Sequence, residues 1–484
     1  MDAGIDGLLD SAMRPVADAI SAFIFYAVPI AGTQVPLIVI WLVVGGLFFT
    51  GFLRGINLTG FRHAIQILRG KVNQPNATGE VSQFQALTTA VSGTVGIGNI
   101  AGVAVAISVG GPGATFWMIV AGLLGMSTKF AECTLAVKYR RIDPATGEVS
   151  GGPMHYLKRG LSELGHTKTG QGLAVFYAAS MVIGCLGIGN MFQSNQAAAI
   201  VINTTGGAAS PFAGQAWLLG VAQAIIVGLV IVGGIKSIGR VTARLVPFMV
   251  VLYVLCALVV LALNAAAIPA AISAIVSGAF SADGVAGGAI GAMIVGFRRA
   301  VFSNEAGLGS ASIAHSASRV SHPASEGFVG LLEPFIDTVL VCTLTALVII
   351  TTVYVPGATD VNGIELTSAA FATTFSWAPI PLSICAVLFA FSTMLGWSYY
   401  GRKAFGFLAG DSRAATIGFN LFFLAFVVLG SSVELGALVD LSDALVFVVA
   451  IPNLLGLYLL APVVRRELAR YNREVRDLYD EKAG

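Results

Sequence analysis

Long apolar runs, separated by short polar and charged connections, set the pattern of this chain. A helix needs about 20 apolar residues to cross hydrocarbon, because every backbone group inside it must find an internal partner. Eleven segments meet that demand, at roughly 35–53, 85–109, 113–137, 173–203, 215–235, 245–267, 286–312, 327–355, 379–401, 416–433 and 442–464. The opening stretch, about 17–32, is apolar but short and flanked by acids, and reads as an interfacial or re-entrant piece. It does not read as a signal peptide, since Asp2, Asp6 and Asp10 stand where a basic start is required.

Two of the eleven segments are abnormal. The second contains SGTVGIGNIAG (92–102), with four glycines in eleven positions, and the seventh contains FRRAVFSNEAGLGSAS (297–312), with Gly307, Gly309 and charges at membrane depth. Glycine costs a helix interior about 1 kcal/mol relative to alanine, and unsatisfied backbone in lipid costs several more. Such stretches persist only where they line a cavity inside the protein. A lone small-xxx-small match means little in a chain with 58 glycines, but a dense cluster joined to Asn99, Asn304 and Glu305 predicts a broken helix.

Composition agrees and narrows the class. Of 484 residues 56% are hydrophobic and 11% charged, against about 25% charged in soluble domains. A secreted disulfide protein, a disordered chain and a nucleic-acid binder are excluded. Cys133, Cys185, Cys256, Cys342 and Cys385 lie in apolar runs without metal-ligand spacing and read as packing residues. Net charge is only +2, but 23 of the 27 basic residues fall in every second connection, from Arg54, Arg62, Arg69 and Lys71 through Arg140 and Arg402 to the tail. Only Arg14 lies on the other side, where Asp2, Asp6, Asp10, Asp18, Asp283, Asp360, Glu365, Glu434, Asp440 and Asp443 collect. This alternation predicts an outside N-terminus and a cytoplasmic C-terminus, with residues 465–484 as a solvated charged tail.

Setting the first span aside leaves ten. One break falls in the first helix of spans two to six, the other in the first helix of spans seven to eleven. Five is odd, so the second set enters the membrane inverted. That is the layout of a secondary transporter whose paired broken helices hold substrate and coupling ion near the midplane. The predicted organisation is 1–84 (outside N-terminus, extra helix, cytoplasmic loop), 85–267 (first five-helix repeat), 268–464 (second, inverted repeat) and 465–484. Unwinding exposes amides that attract a carboxylate and carbonyls that coordinate a small cation, so a zwitterion plus sodium suits such a site.

At these residues the sequence resembles the alanine/glycine:cation symporter family, also called sodium:alanine symporters. The block at 93–140 is similar to that family's signature almost throughout, and GGPMHY (151–156), GIGNMFQSNQ (187–196) and FSNEAGLGSASIAH (302–315) are similar to its later blocks. The resemblance covers about 35–465. It implies an all-α polytopic membrane protein with the five-plus-five inverted-repeat amino-acid transporter fold and one extra N-terminal helix. It further implies sodium-coupled uptake of alanine or glycine across the cell membrane, with no enzymatic cofactor and no nucleic-acid partner.

The same resemblance implies site residues. Substrate would meet Thr94, Gly96, Gly98 and Asn99 at the first break, Gln193 in the fourth span, and Thr393 and Trp397 in the ninth, with Trp397 limiting substrate size. Sodium would meet Ser392 and Thr393 with carbonyls near Ser92 and Val95, neutral oxygens suited to a hard cation. The residues themselves leave plainer readings open. The glycines also suit close helix packing, and Asn190, Gln193, Asn195 and Gln196 also suit bonding between helices. A Ser or Thr in a membrane helix often bonds to its own backbone.

Charged groups are less defined by the sequence. Arg299 is read as pairing with Glu305 or Asp337, as a gate or a clamp, and Lys129 with Glu132, three residues on, as a structural pair near the inner end of the third span. His63, His155, His166, His315 and His322 fall in loops or at helix ends, which argues against a histidine proton relay. No GxxxxGK[ST] loop is present, so energy comes from an ion gradient. Glu305, Glu333 and Asp337 leave a proton-coupled symporter as the alternative.

Overall fold

The computed structural model describes residue 15 and residues 18–30, 32–72, 74–281, 288–355, 363–433 and 435–476, without the side chains of 435–441. Asp2, Asp6, Asp10, Arg14, Asp283, Asp360 and Glu434, the side chain of Asp440, and the tail beyond 476 lie outside the described residues.

The 17–32 stretch is a short helix over residues 18–24 that leads into a hairpin, β1 (Ala27–Ile30) against β2 (Thr33–Pro36). Helix α1 (Leu37–Phe52) follows. Helix α2 (Gln83–Thr94) opens on a capping box, in which the Gln85 amide donates to Ser82 Oγ at 3.2 Å and the Ser82 amide to Gln85 Oε1 at 3.0 Å. After one 3₁₀ turn the span resumes as α3 (Ala101–Gly110), bent by 60° from α2. Next come α4 (Gly113–Lys138), a hairpin of β3 (Arg141–Ile142) and β4 (Val149–Ser150), and α5 (Pro153–Glu163). Helix α6 (Thr167–Thr204) carries a π turn at Gly187–Met191, and α7 (Ala216–Ile231) and α8 (Gly234–Leu263) complete this half.

The second half opens with α9 (Ile268–Phe280) and then α10 (Gly288–Asn304). A non-helical stretch separates α10 from α11 (Ser312–His315). Helix α12 (Pro323–Thr352) contains a π segment at Phe335–Cys342. The chain ends with α13 (Ile364–Ala372), α14 (Pro379–Ala409), α15 (Arg413–Gly430) and α16 (Leu435–Tyr471).

Helix therefore occupies every one of the eleven predicted segments, while α5, α9 and α13 fill connections. Among the described residues seven helices are each long and apolar enough to cross a membrane, and the bent pair α2–α3 adds an eighth. Both predicted breaks are present. Val95 leaves the helical region at ψ 89°, and Gly96 is fully extended. In the second, Glu305, Gly307 and Gly309 take φ values of 57°, 92° and 75°, the left-handed region that glycine tolerates best. Around the breaks, α4 packs on α10 and α12, and α14 packs on α2, α6 and α8. The two interruptions thus lie in the protein interior.

Candidate functional site

The first break exposes amides that the protein answers with neutral oxygens. The Gly96 amide donates to Asn99 Oδ1 at 2.9 Å, and the Ile97 amide to Gln193 Oε1 at 3.2 Å. In a continuous helix the Asn99 amide would bond to the Val95 carbonyl; it bonds to Gly96 O at 3.1 Å, so the Val95 carbonyl leaves the ladder. Glycine at 96 is required by close approach: a Cβ there would lie 2.5 Å from Thr393 Oγ1 and 3.2 Å from Gln193 Oε1. Thr393 Oγ1 is buried and finds no hydrogen-bond partner among the described residues. Since buried polar groups are nearly always paired, the point where Gly96, Gln193 and Thr393 converge is chemically unfinished.

The neighbouring expectations divide. Ser392 Oγ donates to its own helix at Phe389 O (2.9 Å) and, across to α2, to Ser92 O (3.4 Å), which joins the two elements expected to share a cation. The hydroxyls of Ser92 and Thr94 turn back onto their own helix, Ser92 to Thr89 O at 2.7 Å and Thr94 to Val91 O at 3.3 Å. A Cβ at Gly98 would lie 3.4 Å from the Phe302 ring, in ordinary contact. Asn99 is engaged more heavily than its sequence context implies. Its Nδ2 donates to Asp337 Oδ1 at 2.7 Å, to the Asp337 carbonyl at 3.1 Å and to Cys342 Sγ at 3.3 Å. Trp397 Nε1 donates to Gly93 O at 3.2 Å and to Glu305 Oε1 at 2.9 Å, so one indole ties α14 to both breaks.

The second break is closed by the protein itself. Glu132 Oε1 accepts from the amides of Gly307 and Gly309, both at 3.0 Å, and from Asn453 Nδ2 at 2.8 Å. Tyr156 in turn donates to Asn453 Oδ1. An amide end expected to await an external carboxylate thus already holds an internal one.

The structure corrects the pairing of the charged groups. Arg299 bonds to Asp443, joined by Arg298 at 3.2 Å, and not to Glu305 or Asp337. Asp337 instead accepts from Asn99, Ser303 (2.7 Å) and Thr338 (2.6 Å). Lys129 pairs with Glu333 at 3.2 Å rather than with Glu132. His315 does end a helix, yet it is fully buried, with Nδ1 2.6 Å from Glu326 Oε1 and Nε2 3.6 Å from Glu333 Oε2.

On the face carrying the α4–α5 connection, Arg140 donates to the carbonyls of Thr78 (2.6 Å), Ser316 (2.9 Å) and Ser318 (2.6 Å). It thereby joins the lead into α2 to the exit from α11. Nearby, Glu148 accepts from Lys403 at 2.6 Å. Burial pushes the Glu148 carboxyl up, but Lys403 and Arg402 outweigh it and leave it below the usual carboxylate range. The central residues are sealed: Asn99 is 0% and Trp397 1% exposed.

Comparisons with known proteins agree with this architecture. The chain is 42% identical to the sodium/alanine symporter AgcS of Methanococcus maripaludis over 90% of its own length and 94% of that protein's. It is 34% identical to the amino-acid carrier protein AlsT of Bacillus subtilis over 89% and 88% of the two chains. Among solved structures, MhsT in complex with L-phenylalanine matches 79% of this chain and 89% of its own, with a TM-score of 0.57 at 15% identity, which speaks for the fold. Residues 20–483 match the sodium:alanine symporter family. A multi-pass helical bundle with two broken helices and these relatives together make the chain a cation-coupled amino-acid symporter, and it belongs to the sodium:alanine symporter family.

Proposed function

We propose that this protein couples the uptake of small neutral amino acids, alanine and glycine foremost, to sodium entry across the cell membrane, by alternating access. The observation that carries the reading is the unpartnered Thr393 hydroxyl poised over the bare face of Gly96, with Ser392 reaching the Ser92 carbonyl one position away. Sodium, as cargo, takes hydroxyl oxygens of Ser392 and Thr393 and carbonyls of Ser92 and Val95. The substrate carboxylate takes over the Gly96 and Ile97 amides from Asn99 and Gln193, beside Thr94 and Gly98, and Trp397 bounds the side chain. Residues 85–267 and 268–464 act as the two inverted repeats, with 1–84 ahead of them, 465–484 in the cytoplasm and the N-terminus outside. The names of AgcS and AlsT support alanine and amino acids as cargo.

Proton coupling is the second reading, favoured by two buried carboxylates, Glu305 in the second break and Asp337 bonded to Asn99 of the first. Counterflow in liposomes with a panel of labelled amino acids, in sodium and in choline at fixed pH, separates the two. Alanine and glycine exchange that requires sodium is the expected result. Equal exchange in choline would transfer the coupling to protons, and no exchange of any amino acid would refute the proposal.

A further inference from the structure

Glu305 occupies a position that its own backbone disfavours. It caps α10 at φ 57°, where helices commonly place glycine or asparagine, and it is 1% exposed. A non-glycine residue kept in the left-handed region inside a protein core points to a constraint on its side chain. Among the described residues that side chain is engaged by hydrogen bonds rather than by an ion pair. Its Oε2 accepts from Ser310, and its Oε1 accepts from Trp397 Nε1 at 2.9 Å.

Trp397 is held on two further sides. Its Nε1 also donates to the Gly93 carbonyl at 3.2 Å, just before the first break. Gly189, in the π turn of α6, lies flush against the ring, such that a Cβ there would fall 2.0 Å from Trp397 Cγ. Thr393, one helical turn earlier on the same face, bears the unpartnered hydroxyl over Gly96. The indole plane is therefore the wall next to the convergence point, and its tilt sets how far that wall stands from Gly96. Of its two acceptors, the Glu305 carboxyl makes the shorter bond.

We propose that Glu305 is the positioning residue for substrate size: it fixes the Trp397 indole and through it excludes amino acids larger than alanine. This rests on the proposed function, because the wall matters only if a neutral amino acid lies beside Thr393. The strained backbone follows from that role, since only a residue rooted at the second break and reaching towards α14 can hold the indole from this side.

The test measures dissociation constants of purified protein in sodium for glycine, alanine, valine and leucine, in wild type, E305Q, E305G, W397F and the E305G/W397F pair. E305Q keeps an acceptor oxygen and is expected to hold the alanine-to-leucine preference within about threefold. E305G relaxes the backbone and removes the acceptor, so it folds while the preference falls by roughly tenfold, the size of a lost buried hydrogen bond. In the W397F background the E305G substitution is expected to change the preference no further. A wild-type preference retained in E305G overturns the inference, as does an equal effect of E305G with and without the indole N–H. Wild-type protein that binds none of the four amino acids overturns the proposed function, and this inference with it.

Discussion

Gly96→Ala tests the convergence point with one methyl group. The backbone at Gly96 is extended, φ −131° and ψ −161°, a conformation alanine adopts freely, so the substitution does not strain the chain. The added Cβ would sit 2.5 Å from Thr393 Oγ1 and 3.2 Å from Gln193 Oε1, roughly 1 Å inside ordinary van der Waals contact with the hydroxyl. Threonine in a helix has two favoured χ1 wells, and swinging the hydroxyl into the other takes it off Gly96 and onto its own backbone, so either response disturbs the convergence point. Overpacking of this kind costs about 1–3 kcal/mol, here set against the bound state, which becomes a loss of about 5- to 150-fold in alanine affinity. Gly102→Ala, in the first turn of α3, is the control: nothing lies within 4 Å of a Cβ built there. It is expected to leave affinity within twofold and to leave stability at or slightly above wild type through helix propensity. Calorimetric titration of alanine in sodium, with thermal unfolding of each variant, reads both quantities. Wild-type affinity in Gly96→Ala, or equal damage from Gly102→Ala, would refute the reasoning.

Other outcomes follow from single contacts. Thr393→Val replaces an unpartnered buried hydroxyl by a methyl, so stability is expected to rise by about 1 kcal/mol while the sodium midpoint for transport rises; an unchanged midpoint would contradict the assignment. Asn99→Ala removes the bonds to the Gly96 amide, Asp337 and Cys342, so lost alanine binding should come with about 1–3 kcal/mol of lost stability, and full stability by thermal unfolding would count against the linkage. On the face of α5, burial followed by the nearby charges of Arg159, Lys403 and Lys158 pushes His155 down to about 3. The unfolded chain binds that proton near pH 6.5 and the folded one does not, so stability is full above about 6.5 and is lost as pH falls towards 3. His155→Asn should flatten the decline in unfolding temperature between pH 7 and 4.5; parallel curves would show that the imidazole is not responsible.

How much of this was legible beforehand depends on the range of the signal. Hydropathy, alternating cations and glycine clusters are local, so helix fell on all eleven predicted segments and both breaks were placed. Family resemblance implied that Ser392 and Thr393 meet carbonyls near Ser92 and Val95; the structure adds the approach of Thr393 to Gly96 and with it the reason glycine is needed there. Partner choice among charged groups was not legible. Arg299 meets Asp443 and Lys129 meets Glu333 across 144 and 204 residues, and no spacing along one helix encodes such pairs. Glu132 was read as Lys129's helical neighbour, although its work is to satisfy the Gly307 and Gly309 amides. Glu305 was noticed as a charge at membrane depth, but its bond to Trp397 depends on a left-handed backbone turn and the close approach of Gly189. Helix α9 went unpredicted because its 13 residues are too few for a crossing and its position suggested a loop.

The central claim is that an amino acid lodges between two interrupted helices, and a high-resolution cryo-EM map of the protein with alanine and sodium tests it most directly. Density for alanine bounded by Gly96, Gln193 and Trp397, with a cation against Thr393, is the expected result. Alanine seated outside the space between the two interruptions, or either interruption wound into continuous helix, would contradict it.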